Sequence, residues 1–237
     1  MRIRVDLSKT SFKVPINYQQ ILQGFIYNTF DRETTGDFLH NTGYSVYNKI
    51  FKLFCFSNLF GTYTLENRTL VFEEDFYFYV AFEKDTYAKQ FIAYLKNHEY
   101  ITLNRQEVKI ENITVEELRK FSGEKEVRLC ALSPVVAYRT EENNVLYYKP
   151  GDEEFEEICR KNLEEKAILL EGDEEIKFEI LSVIRARKRL VHFKNTFYVS
   201  YITDLKVRVN YPALRLLFNT GLSSKGSAGF GMVEVRR

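Results

Sequence analysis

Apolar residues along this chain change period from two to about 3.6 and back, in the order strand, helix, strand, strand, helix, strand, and then run through that order again. That order predicts an α+β fold of two tandem ferredoxin-like domains (βαββαβ, RRM-like) ending in a glycine-rich loop. A polar stretch, FSGEKE at 121–126, separates the two runs and sets the expected domains at 1–121 and 122–237. At 237 residues the chain is long enough for each half to bury a core of its own.

The first strand is read from Ile3, Val5 and Leu7 alternating with Arg2, Arg4 and Asp6, the period of a half-buried strand. Pro15 and Asn17 punctuate the chain, and Tyr18, Leu22, Phe25, Ile26 and Thr29 then share one side at helical spacing. Apolar, aromatic-rich strands are expected at 49–60 and 70–82, where Tyr77 and Tyr79 read as sheet-to-helix packing, with base stacking the alternative. A helix at 84–97 turns Tyr87, Phe91, Tyr94 and Leu95 inward, and a strand pattern follows over 100–115. The second half repeats the order without repeating the sequence: strand 127–139, helix 153–169, strands 176–190 and 196–209, helix 212–219 and a last strand 230–236.

Charge is the next guide. The formal net charge is only +1, but residues 139–179 hold 14 acids against 6 bases, and residues 182–237 hold 11 bases against 2 acids. Clustered Lys and Arg near one end suit a polyanion, whose condensed counterions they release. Glu153, Glu154, Glu156 and Glu157 read as the solvated first turn of a helix, where the dipole favours acids, and not as a metal site. Cys55, Cys130 and Cys159 are far apart without CxxC spacing, so neither a disulfide framework nor zinc is expected and they read as core thiols. The absence of an apolar run of about 18 residues and of a signal-peptide pattern predicts a soluble cytoplasmic protein with no membrane partner.

The run GLSSKGSAGFG, from Gly221 to Gly231, carries the strongest chemical signal. In a dinucleotide fold such glycines follow a strand and open a helix; here they follow a helix and precede a strand, which excludes that fold. Gly221 suits a helix C-cap. Gly226, Gly229 and Gly231 permit positive φ and close backbone approach, and Ser223, Ser224, Lys225 and Ser227 offer donors, so the loop reads as a grip on an RNA phosphate; a flexible turn is the bland alternative. On the strand before it, Arg185, Arg187 and Arg189 alternate and share a face at steps of about 6.6 Å. Lys188, His192 and Lys194 add charge near a hairpin tip, and Lys206 and Arg208 repeat the pattern on the next strand, which together point to RNA or single-stranded DNA.

Of three histidines, His98 is explained by a helix C-terminus and His192 by the basic hairpin, whereas His40, in DFLHNTGY, has no evident packing duty. Tyr27 lies away from the apolar stripe of the first helix and would present its hydroxyl to solvent or ligand. Lys52 interrupts the apolar run KIFKLFCF, where an amine needs water or an anion; Lys49 is close by and shares that reading. An imidazole, a phenol and an amine without a metal-ligand motif suit phosphodiester cleavage in which the RNA 2′-hydroxyl attacks.

These residues bring the chain close to a known family. GLSSKGSAGFGMVEV at the C-terminal end and FKVPINYQQILQGFIYNTF near the N-terminal end resemble the glycine-rich loop with final strand, and the opening strand-to-helix segment, of the CRISPR-associated repeat-processing endoribonucleases, the Cas six family of the repeat-associated RNA-binding superfamily. The resemblance spans nearly the whole length. It implies two ferredoxin-like domains, recognition of CRISPR repeat RNA, and cofactor-free, metal-independent cleavage leaving a 2′,3′-cyclic phosphate and a 5′-hydroxyl. Hand-off to a multi-subunit CRISPR interference complex and a homodimer are further partners that the resemblance leaves open. Tyr27 in GFIYN, His40 in FLHNTGY and Lys52 in FKLFCFS match the tyrosine, histidine and lysine of members with that triad; Ser223 stands where the family commonly has glycine. Some relatives lack the histidine, so a non-cleaving repeat-RNA-binding protein of the same superfamily is the alternative. A phosphate-binding metabolic enzyme is disfavoured by the order of helix and glycines.

Overall fold

The structure is a computed structural model and describes residues 1–31, 35, 38–142, 144–170, 175–222 and 224–236; the side chains of Leu39 and His40 lie outside the described part. In chain order the first half comprises β1 (Arg2–Ser8), β2 (Phe12–Pro15), α1 (Gln19–Asn28), a π-helical turn (Phe38–Thr42), β3 (Tyr44–Val46), β4 (Lys49–Phe51), β5 (Phe54–Phe56), β6 (Phe60–Glu66), β7 (Thr69–Phe82), α2 (Asp85–Lys96), β8 (Tyr100–Leu103) and β9 (Gln106–Glu116). β7 is the spine of the first sheet. It pairs antiparallel with β1, β2, β5 and β6, while β9 lies on the other edge of β1 and carries β8.

Period-two alternation explains the first core. Phe76, Phe78, Val80 and Phe82 of β7 are buried beneath Leu22, Phe25 and Ile26 of α1 and Phe91 and Leu95 of α2. Truncating one of these phenylalanines to Ala costs about 3–5 kcal/mol. Tyr77 and Tyr79 take the opposite face, so they do not pack between sheet and helix as expected: Tyr77 stacks on Phe60 at 5.3 Å and lies under the Arg4 guanidinium at 3.8 Å. The expected strand at 49–60 is three short strands, because Leu53 is buried with φ 52 and turns the chain sharply after Lys52.

The second half comprises β10 (Glu124–Ala131), β11 (Ala137–Glu141), β12 (Asn144–Tyr148), α3 (Glu153–Ile168), β13 (Phe178–Phe193), β14 (Thr196–Asn210), α4 (Tyr211–Thr220) and β15 (Val233–Arg236). Its sheet has the order β13-β14-β10-β15. The helix after β10, the β13–β14 hairpin, the next helix and a last strand beside β10 form the second ferredoxin-like unit. Phe155, Cys159 and Leu163 of α3 and Leu214 and Leu217 of α4 pack on Leu129, Val207 and Val209. The expected strand at 127–139 divides: β10 ends at Ala131, and Ala137 begins a separate hairpin with β12. All three cysteines are free and buried. Among the described residues no helix is long and apolar enough to cross a membrane.

Charged side chains are among the polar contacts that join the halves. Arg2, expected on the wet face of β1, is buried, because α4 and the start of β15 cover that face; its guanidinium donates to the Phe218 and Val233 carbonyls at 2.9 and 2.6 Å and lies 3.8 Å over the Phe218 ring. Glu83, after β7, pairs with Arg215 of α4 at 3.1 Å. Lys49 of β4 reaches both oxygens of the buried Glu165 carboxylate on α3, at 2.6 and 2.8 Å.

Candidate active site

The glycine-rich loop begins where α4 stops. Gly221, at φ 78, ends the helix, and the buried Lys166 ammonium donates to the Thr220 and Gly221 carbonyls at 3.4 and 3.1 Å, capping the negative end of the helix dipole. Burial pushes the Lys166 pKa down to about 8. The loop then closes on itself, with Leu222 N–H donating to the Gly231 carbonyl and Gly231 N–H to Pro134. A single 3₁₀ turn, Gly226–Ala228, is followed by Gly229 in the left-handed region at φ 82.

That turn is clamped against the first sheet. A Cβ on Gly226 would lie 2.5 Å from the Thr220 carbonyl oxygen and 2.9 Å from that of Phe54; one on Gly229 would lie 2.6 Å from the Phe56 ring. Gln23 of α1 donates to the Ser227 carbonyl at 2.5 Å. Gly221, Gly229 and Gly231 spend their N–H groups on Leu217, Gly226 and Pro134. The glycines are therefore accounted for by contact with protein, and among the described residues of the loop Ser224 is exposed and Lys225 and Ser227 are half-buried, while Ser223 lies outside the described residues. Lys225 hydrogen-bonds the Tyr138 hydroxyl and sits 5.8 Å over both the Tyr138 and Tyr198 rings.

Tyr27 does not project into solvent. Its ring meets Phe54 edge-on at 5.6 Å, and its hydroxyl shares a hydrogen bond with the Ser227 side chain. Burial raises its pKa to about 12, with the Ser227 contact opposing the shift, so the phenol keeps its proton at neutral pH. Lys52 is not in a strand but in the turn before Leu53, two residues from the Phe54 that Tyr27 touches. Its side chain covers Gly43, where an added Cβ would lie 2.9 Å from the Lys52 Cδ. Gly43 directly follows the π-helical turn that carries His40 and donates to the Phe38 carbonyl at 2.6 Å. The backbone thus brings the His40 turn beside Lys52, while the His40 side chain lies outside the described part. Desolvation, followed by the nearby Lys194 charge, pushes the Lys52 pKa down. Lys49, by contrast, is bound to Glu165.

Lys194 stands at the tip of the β13–β14 hairpin, so the basic strand of the second half reaches the first. Its charges are not equivalent. Arg185 shares Asp204 with Arg128, at 3.0 and 2.7 Å; burial would raise that carboxyl, but the two guanidiniums outweigh it and hold it below the usual aspartate range. Lys206 and Arg208 are tied to Glu126 and Glu179. Arg187, Lys188 and Arg189 are exposed and make no ion pair among the described residues. His192 packs on Phe197 across the hairpin at 4.7 Å. His98 stacks on Tyr94 at 4.2 Å and its Nδ1 donates to the Tyr94 carbonyl at 2.7 Å, a local duty at a helix end.

Sequence reasoning did not single out Tyr138, Arg139, Lys161 or Asn162, which line a cleft beside the loop. Asn162 left one signal: it falls among Phe155, Cys159, Leu163 and Lys166 on the buried side of α3, a polar residue in an apolar stripe.

Residues 113–235, just over half of the chain, match the family described as CRISPR associated protein Cas6, C-terminal. The chain belongs to the Cas6 family. It is 26% identical over 233 residues to the CRISPR-associated endoribonuclease Cas6 of Pyrococcus furiosus, covering 95% of this chain and 84% of that one. Among solved structures it is similar to a Cas6-related protein from Pyrococcus furiosus, with TM-score 0.81, 16% identity and coverage of 99% and 98% of the two chains. It is equally similar to a protein described as a RAMP protein binding different RNA substrates, with TM-score 0.80, 17% identity and full coverage of both. These two likenesses establish the shared tandem ferredoxin-like fold, in which the glycine-rich loop and α1 of this chain meet at Ser227.

Proposed function

We propose that this chain is a metal-independent endoribonuclease that cuts precursor CRISPR RNA within the repeat and so generates guide RNAs. The observation that carries the reading is the meeting of both halves at one place: Tyr27 bonded to Ser227 of the loop, and Lys52 within the field of Lys194 at the tip of the basic hairpin. The named activity of the Pyrococcus furiosus relative supports it.

In this mechanism the 2′-hydroxyl oxygen attacks the adjacent phosphorus, the bond to the 5′-oxygen breaks, and the products carry a 2′,3′-cyclic phosphate and a 5′-hydroxyl. His40 moves the proton, since an imidazole titrates closest to neutrality. Tyr27, held as a neutral phenol, donates a hydrogen bond and orients the reacting phosphate instead of acting as a base. Lys52 offsets the charge that grows on the phosphate oxygens. Arg187, Lys188, Arg189, His192 and Lys194 take the RNA backbone along the arm, and Ser224 and Lys225 are the loop's contacts. Division of the chain at 121/122 belongs to the same proposal and is supported by β9 ending at Glu116 and β10 beginning at Glu124.

Labelled repeat RNA incubated in EDTA with the wild type and with His40→Ala tests the reading. The wild type cuts in EDTA, and His40→Ala binds as well but cuts about 10²–10⁴-fold more slowly, the usual worth of a positioned acid or base. Wild type that binds repeat RNA and leaves it whole would instead make the chain a non-cleaving binder, and cleavage stopped by EDTA alone would refute the metal-free mechanism.

A further inference from the structure

Beside the loop, between the two halves, lies a cleft of about 740 Å³ whose walls come from β4, β11, α3 and the Ser224–Lys225 corner. That volume falls within the roughly 300–1,000 Å³ of sites that enclose a small organic group. One group on its wall has no structural explanation. Asn162 of α3 is 5% exposed, and its buried Oδ1 has no hydrogen-bond partner among the described residues. An unpaired amide oxygen in such a place is unfavourable, and a donor entering the cleft would relieve it. Tyr138 supplies an aromatic face in the same cleft, and Lys161 and Lys225 supply cations, whereas Arg139 is engaged by Glu157 at 2.5 Å.

A buried acceptor, an aromatic ring and cations at the mouth describe the complement of one nucleotide. Building on the RNA-binding reading above, we propose that this cleft takes a single unpaired nucleotide of the RNA, with the Asn162 Oδ1 accepting from an exocyclic amino group. Adenine and cytosine carry such an amino group next to a ring-nitrogen acceptor, the two-point pattern an amide matches. Uracil presents a carbonyl oxygen there and repels Oδ1. The phosphate of that nucleotide lies toward Ser224, Lys225 and Lys161, so the cleft fixes which base sits beside the loop.

The test measures binding of short single-stranded oligoadenylate, oligocytidylate and oligouridylate to the full chain by fluorescence anisotropy. Wild type binds the better amino-bearing oligomer about 5- to 150-fold more tightly than oligouridylate, the discrimination of a two-point amide contact. Asn162→Leu abolishes that preference, leaves oligouridylate affinity as it was, and keeps or raises the melting temperature, because an apolar side chain removes the orphaned oxygen. Oligomers of purine riboside, which lack the amino group, probe the same contact without altering the protein and bind more weakly than oligoadenylate by the same factor. Equal affinity of wild type for all three natural oligomers, a preference that survives Asn162→Leu, or purine riboside binding as tightly as adenosine overturns the pocket. If none of the oligomers binds, the RNA-binding reading falls with it, an outcome distinct from indiscriminate binding.

Discussion

Gly226→Ala is expected to cripple cleavage through one misplaced methyl group. The new Cβ would lie 2.5 Å from the Thr220 carbonyl oxygen and 2.9 Å from that of Phe54. Neither backbone can give way: Thr220 closes α4 and holds the Lys166 ammonium, and Phe54 is paired to Phe82 of the β7 spine. The loop must lift instead, and it then loses the Gln23 and Tyr27 hydrogen bonds to Ser227. Two such bonds are worth about 2 kcal/mol, and forced overpacking adds about 1–3 kcal/mol. A loss of about 3–5 kcal/mol lowers the melting temperature of a chain this size by roughly 6–20 °C. A shift of about 1 Å at Tyr27 costs about 10²-fold in single-turnover cleavage of repeat RNA. Gly24→Ala is the control: nothing lies within 4 Å of the added methyl in mid-α1, so it stabilises by about 0.5–1 kcal/mol. A Gly226→Ala protein that melts with the wild type and cuts at full rate would show that the loop is not the clamp described.

Lys194→Gln removes the like charge that helps to depress Lys52, so the Lys52 pKa rises; if the protonated amine is the active form, the alkaline limb of the pH–rate profile at saturating RNA moves to higher pH. An unmoved limb would separate Lys52 from the rate. Lys49→Ala strands the buried Glu165 carboxylate and costs about 1–3 kcal/mol of stability with little change in cleavage, whereas Lys52→Ala does the reverse; thermal melts and single-turnover rates tell them apart. Arg187→Ala with Arg189→Ala weakens binding and lowers the salt slope by about 2, while Lys206→Ala with Arg208→Ala, already neutralised by Glu126 and Glu179, leaves the slope unchanged in an anisotropy titration over salt.

Period and order were legible because they are local. Ile3, Val5 and Leu7, the strand read at 70–82 and the face of α1 all declare themselves in the sequence, and their apolar positions are buried as the spacing requires. What stayed hidden depends on the other half of the chain. Arg2 reads as a wet strand residue until α4 covers it, and Tyr27 reads as exposed until Ser227 arrives from 200 residues away. Arg185, Lys206 and Arg208 look like a polyanion stripe, but acids on neighbouring strands cancel them, and cross-strand pairing cannot be read along one strand. The turn at Leu53 has no Gly or Pro to mark it, so one strand was expected where three occur.

The proposed mechanism rests on the RNA 2′-hydroxyl as the nucleophile. A repeat RNA with a single 2′-deoxy substitution at the nucleotide 5′ to the scissile phosphate tests it most directly, by single-turnover cleavage in EDTA alongside competition binding. This RNA is expected to compete with the unmodified repeat at equal affinity and to stay uncut, while the unmodified strand yields a 2′,3′-cyclic phosphate. Cleavage of the deoxy-substituted RNA at the same bond would contradict it.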